Sequence, residues 1–264
     1  MTPATMQDTS EGLRVEDLTI RFGGNVAVNG VSFSAPGGRI TGLIGPNGAG
    51  KTTTFNACTG LLRPSAGTVH LFGQDVTAKN VSTRAQLGLG RTFQRMEVFN
   101  SLTVAENVAL GREASLAGRT PWRQLFATGH ERAAVRDAAE EAIALCGLES
   151  LAGRRAGALS TGQRRLVELA RVLAGPFRMF LLDEPSSGLD PSETEGFCAI
   201  LRRVVAERGV GLLLVEHDMA LVSSICEYVY VLDFGELIFQ GTMAEVAASE
   251  AVQAAYLGSE PVHV

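Results

Sequence analysis

The run Gly45, Pro46, Asn47, Gly48, Ala49, Gly50, Lys51, Thr52 constrains this chain more than any other stretch of it. It fits the pattern G-x-x-x-x-G-K-[ST] at every position, between a short apolar strand (Arg39 to Ile44) and a predicted helix from Lys51 to about Cys58. Glycines at these places let the backbone wrap until its N–H groups and the following helix N-terminus face one anion. The pattern assigns Lys51 to the β and γ phosphates of a nucleotide and the Thr52 hydroxyl to Mg²⁺. Composition bears on the lysine: of the 23 basic residues, all but Lys51 and Lys79 are arginines. A chain that writes arginine elsewhere keeps lysine where a slim point charge must reach into a loop.

A strand, loop and helix of this kind belong to a parallel sheet, and the later sequence supplies one. Met179 to Leu182 and Gly211 to Val215 are apolar runs of strand length. Helical segments from Gly162 to about Ala174 and from Glu193 to Glu207 alternate with them, which predicts an α/β core. Ahead of the loop, apolar residues alternate from Leu13 to Phe33 around Gly23-Gly24, as antiparallel strands do. A further strand is expected around Thr68 to Phe72, and Tyr228 to Phe239 alternates again. Between about residues 95 and 160 the character changes. Helical spacing over Val104 to Leu110 and Glu131 to Leu145 flanks a stretch holding the only tryptophan, Trp122, and predicts a helical insertion.

Bulk properties exclude several classes. With 45% hydrophobic and 19% charged residues the chain buries a sizeable core and is not disordered. A net charge of −5 argues against a non-specific nucleic-acid binder. No apolar run approaches the ~20 residues of a membrane helix, and the opening MTPATMQDTSEG lacks the basic and apolar regions of a secretory signal. The cysteines Cys58, Cys146, Cys198 and Cys226 are scattered without a CxxC pair, which fits reduced thiols rather than disulfides or a metal site.

Two further clusters carry chemistry. Met179-Phe-Leu-Leu-Asp183-Glu184 is a buried-strand pattern ending in two carboxylates. On a parallel strand adjacent to the phosphate loop, Asp183 would reach the Mg²⁺ shell, and Glu184 would polarise an attacking water as general base. Leu159-Ser160-Thr161-Gly162-Gln163, just before a helix opening on Arg164-Arg165, reads as an N-cap and as a second anion site.

Together these residues resemble the ATP-binding-cassette (ABC) ATPase family, whose signature reads LSGGQ; Thr161 stands in place of the first signature glycine. The resemblance spans about residues 13 to 258. It implies a P-loop NTPase core with a RecA-like parallel sheet, an N-terminal antiparallel β subdomain and an inserted α-helical subdomain. The expected division is a single domain, 13–258, with an α/β core of 13–94 and 160–258 and an insertion of 95–159. It also implies that Phe22 stacks on adenine and that Gly45 to Thr53, including Thr53 itself, bind the phosphates. The resemblance also implies that Gln94, in Arg91-Thr-Phe-Gln94, approaches Mg²⁺ and water. By the same resemblance Asp190, ending Ser187-Gly-Leu-Asp190, is expected to communicate across a dimer, and His217 to contact the γ phosphate. Ser160, Gly162 and Gln163 face the nucleotide held by a partner's Lys51.

The segments Gly88 to Val108, Arg119-Thr-Pro-Trp122 and Ala255-Tyr-Leu-Gly258 narrow the resemblance to ATPase subunits of branched-chain amino-acid importers and their urea-importing relatives. Such a subunit hydrolyses ATP, pairs with itself or a related ATPase, and lies peripherally on the cytoplasmic face of the membrane. It works with integral-membrane permease chains and an extracytoplasmic solute-binding protein, and with no nucleic acid. The competing expectation is a soluble ATP-driven clamp of the same superfamily. The lack of a second phosphate loop and of heptad repeats speaks against it.

Overall fold

Alternation along the strands sets the architecture. The computed structural model describes residues 12–92, 98–117 and 129–257. Strands β1 (Leu13–Phe22) and β2 (Asn25–Ala35) form a hairpin, followed by β3 (Ile40–Ile44) and helix α1 (Lys51–Thr59). Next come β4 (Ala66–Leu71), β5 (Gln74–Asp75), α2 (Val81–Gln86) and β6 (Leu89–Arg91). Helices α3 (Val104–Ala117), α4 (Gly129–Leu145) and α5 (Thr161–Leu173) make up the helical region. The chain then returns to β7 (Met179–Asp183), α6 (Pro191–Arg208), β8 (Gly211–Val215) and α7 (Met219–Ile225). It closes with β9 (Tyr228–Asp233), β10 (Glu236–Gly241), α8 (Met243–Ala248) and α9 (Glu250–Leu257).

Two sheets result. The first is antiparallel, in the order β2-β1-β4-β5. The second runs β10-β9-β3-β8-β7-β6 and is parallel from β9 to β6, with β10 antiparallel on its edge. Strand β8 therefore separates β3 from β7, so the expectation that the Asp183 strand lies next to the phosphate-loop strand is corrected by one position. Strand order follows pairing preference rather than sequence spacing, and no local pattern reports which of several equally apolar strands is inserted between two others.

Each central strand sends alternate residues to opposite faces, which splits the core in two. Met179, Leu181, Leu213, Val215 and Leu232 pack with Phe55 and Ala57 of α1 and with Leu13, Val15 and Leu18 of the first sheet. Phe180, Leu182, Leu212, Leu214 and Val231 pack on the other side, with Val167 and Ala170 of α5, Ala142 of α4 and Leu201 of α6. Complete burial of such a side chain contributes about 1.5–3 kcal/mol, so both faces hold the sheet. Helix α5 packs against both α3 and α4, tying the helical region to the residues before β7.

Several elements are shorter or longer than periodicity predicts. Helix α3 runs on to Ala117, and the short α2 and β6 carry no pattern that sequence spacing detects. No helix among the described residues is long and apolar enough to cross a membrane. All four cysteines are free and buried, and burial pushes the thiols of Cys58, Cys146 and Cys226 up to about 12.

Candidate functional site

The site begins where β3 ends. The backbone turns at Gly45, where a Cβ would lie 2.1 Å from the Leu232 carbonyl oxygen, so no side chain fits. Gly50 is the N-cap of α1 with φ of 94°, and a Cβ there would stand 2.9 Å from the Ala27 carbonyl oxygen. It supplies no side-chain hydrogen bond, so the first-turn N–H groups of α1 meet no capping oxygen. The other end of α1 is closed by a cation: the buried Arg84 donates from Nη1 to the carbonyls of Ala57 and Cys58, each at 2.7 Å. A guanidinium there complements the negative end of the helix dipole.

Lys51 is buried, and its Nζ donates to the carbonyls of Gly45 at 2.6 Å and Pro46 at 2.9 Å. Burial lowers its pKa, opposed by the charges of Glu184 and Asp183. A cleft of about 430 Å³ opens over the loop. Of the expected residues, Asn47, Gly48, Ala49, Gly50, Lys51, Thr52, Thr53 and Glu184 line it. Asn25, Val26 and Ala27 of β2 and Phe234 of the β9–β10 turn complete it, and sequence reasoning named none of these four.

Asp183 ends β7 in a buried setting. Burial first, then the charge of Glu184, pushes its carboxyl up to about 6 against the pull of Arg91 and Lys51. Its Oδ1 is buried with no hydrogen-bond partner. A lone hard oxygen beside a phosphate loop suits Mg²⁺, which takes one or two carboxylates and completes its shell with phosphates and water. Among the described residues no group of three or more His, Cys, Asp or Glu is arranged so that it could hold a metal ion by itself.

Glu184 follows in the left-handed region, with φ of 46°. That conformation costs a non-glycine residue about 1–3 kcal/mol. It is held by the Glu184 N–H donating to the Val215 carbonyl at 2.9 Å and by the Ser187 N–H donating to the Glu184 carbonyl at 3.1 Å. The strain aims the side chain into the cleft instead of along the strand. His217, 60% exposed, places Nδ1 3.7 Å from Glu184 Oε1 and 3.8 Å from Glu216 Oε2. Glu216 itself is fully buried: it accepts from the Ser186 hydroxyl at 2.5 Å, the Ser186 N–H at 3.0 Å and the His217 N–H at 3.2 Å. It thereby joins the loop after the tandem carboxylates to the end of β8. At the end of an apolar run, Glu216 reads in sequence only as the place where the strand stops.

The remaining expected residues lie elsewhere. Ser160 caps α5: its hydroxyl accepts the Gln163 N–H at 3.2 Å, and Gln163 Oε1 accepts the Ser160 N–H at 3.1 Å. Gly162 is pressed against α6, where a Cβ would come 2.2 Å from the Glu193 carboxylate. Asp190 caps α6 in the same reciprocal manner with Glu193. Phe22 ends β1, 51% exposed, outside the lining of the cleft. Gln94 and Trp122 lie outside the described residues.

A glycine loop that turns a parallel strand into an uncapped helix, with a lysine inside it and tandem carboxylates two strands away, defines a P-loop nucleotide-binding protein. Residues 28–187 match the ABC transporter family model, and residues 236–262 match that of the branched-chain amino acid ATP-binding cassette transporter. The high-affinity branched-chain amino acid transport ATP-binding protein BraF of Pseudomonas aeruginosa is 38% identical over 93% of this chain and 97% of its own. The lipopolysaccharide export system ATP-binding protein LptB of Acidithiobacillus ferridurans is 35% identical over 95% of this chain and 98% of its own. The crystal structure of the ADP conformation of MJ1267, an ATP-binding cassette of an ABC transporter, superposes with a TM-score of 0.83 at 32% identity, covering 94% and 99% of the two chains. The chain belongs to the ABC transporter family and is one of its ATP-binding cassettes, a nucleotide-binding ATPase.

Proposed function

We infer that the chain is the ATP-hydrolysing subunit of an importer for branched-chain amino acids. The observation that carries the solute class is the match of residues 236–262 to the branched-chain cassette model, a segment outside the general cassette match. BraF supports the same reading, and the C-terminal match favours it over the export role named for LptB.

In this reading Gly45 to Thr53 cradle the phosphates and Phe22 stacks on adenine. Thr52, Asp183 and Gln94 hold Mg²⁺, which supplies charge neutralisation on the phosphate oxygens. Glu184 accepts a proton from the attacking water, while Lys51 and His217 stabilise negative charge on the transferred phosphoryl group. Ser160, Gly162, Gln163 and Asp190 meet the nucleotide of a second ATPase subunit, identical or related. The division into an α/β core (13–94, 160–258) and a helical insertion (95–159) lets the insertion receive permease chains on the cytoplasmic face of the membrane. A solute-binding protein delivers the amino acid from outside.

The test uses tagged Glu184→Gln protein, which is expected to hold Mg-ATP without turnover, to capture its complex from native membranes. Polytopic permease chains should copurify, and the wild-type complex should hydrolyse ATP faster when leucine-loaded binding protein is added. Capture of soluble partners alone would overturn the transport reading. Stimulation by another solute and not by leucine, isoleucine or valine would overturn the substrate.

A further inference from the structure

We propose that Phe234 is a second aromatic contact for the nucleotide, packing its ring on the nucleoside portion in the P-loop cleft. The turn itself carries the argument. Asp233 pairs with Glu236, so Phe234 and Gly235 are the two central residues of a hairpin loop, with φ of 43° and 81°. Positive φ at both positions is the type I′ geometry, whose first central position favours Asn, Asp or Gly. Phenylalanine is a poor choice there and costs backbone strain. Burial does not offset that cost, because the residue is 89% exposed.

The turn is tied to its surroundings through Gly235. The Gly235 N–H donates to the Ala49 carbonyl at 3.1 Å, and the Gly235 carbonyl accepts the Asn29 N–H at 2.8 Å. A Cβ at Gly235 would lie 2.6 Å from the Ala27 carbonyl oxygen, so the turn is seated directly against the phosphate loop and β2. Phe234 thus projects from a rigid mount, and it lines the same cleft as Lys51, Thr52 and Val26. A strained, solvent-facing aromatic held at the rim of a nucleotide cleft offers a flat apolar face on which a ribose or base can pack.

The proposal rests on ATP occupying this cleft, and the experiment separates the two claims. Binding of ATP, ADP and inorganic tripolyphosphate to the full chain is measured by calorimetry for wild type, Phe234→Asn, Phe234→Gly and Lys51→Ala. Either Phe234 variant should weaken ATP and ADP equally, by about three- to tenfold, the usual worth of one aromatic contact. Tripolyphosphate binding should be unchanged. Asn and Gly suit the turn, so the melting temperature should hold or rise, the opposite of what loss of a purely structural residue would do.

Unchanged ATP and ADP affinities would overturn the proposal while leaving the cleft assignment intact. So would an equal loss of tripolyphosphate binding, which would mean that the turn only shapes the phosphate loop. So too would a defect confined to ATP-dependent pairing of Glu184→Gln chains, which would assign the ring to the second subunit. A wild-type chain that binds neither nucleotide would overturn the cleft assignment, and this proposal with it.

Discussion

Helices α1 and α5 both carry a glycine at their start, Gly50 as the N-cap of α1 and Gly162 in the first turn of α5, and they treat their first N–H groups in opposite ways. At α1 the N-cap is a left-handed glycine with no side chain to offer, and the far end is closed by Arg84. At α5 a serine and a glutamine close the start on each other. The positive end of α1 is therefore open to an anion from outside, whereas α5 satisfies part of its own demand. Binding of phosphate by one chain should depend on the first terminus and barely on the second. The second becomes useful only to a ligand presented by another molecule.

The largest effect that would test this contrast is at Lys51. Lys51→Ala should abolish ATP binding by the isolated chain, read by calorimetry, whereas Ser160→Ala should leave that affinity within about twofold. Comparable losses from both would break the contrast. Next comes Glu184→Gln, expected to cut steady-state hydrolysis by about 10²–10⁴-fold while ATP affinity is retained. Retained turnover would move the general base elsewhere.

Stability effects are smaller. Gly50→Ala forces a Cβ at positive φ against the Ala27 carbonyl and should destabilise by about 1–3 kcal/mol in a denaturant melt. Ser160→Ala loses only a cap, about 1 kcal/mol, or roughly 2–4 °C in melting temperature. If Ser160→Ala cost more than Gly50→Ala, the ranking of the two termini would be reversed. The smallest effect is on pH dependence. Thiols raised to about 12 in the fold hold protons that the unfolded chain releases from about pH 8.5. Their contribution is complete below that pH and is lost as pH rises towards 12, so melting temperature should fall between pH 8 and 10. Replacing Cys58 with Ala should flatten that fall.

Much of this was legible because each motif residue answers a backbone demand. Gly45 and Gly50 sit where a Cβ would meet a backbone carbonyl, and the runs Met179 to Leu182 of β7 and Leu212 to Val215 of β8 are apolar throughout because both faces of the sheet are covered. What stayed hidden depends on contacts between distant segments. The insertion of β8 between β3 and β7 is a choice among similar strands. Glu216 gains its meaning from Ser186, thirty residues away in sequence. Phe234 reads as an ordinary turn residue until β2 and the phosphate loop are seen beside it. The bland reading of Ser160 as an N-cap describes its geometry within one chain, and any role towards a partner's nucleotide is additional to it.

The grip of Glu216 on Ser186 leaves the loop after Asp183-Glu184 without slack relative to the end of β8. A push on that loop is passed to the residue that precedes His217, and a pull on His217 returns along the same path. Cutting that tie with Ser186→Ala or Glu216→Gln is therefore expected to uncouple the position of the Glu184 loop from that of His217.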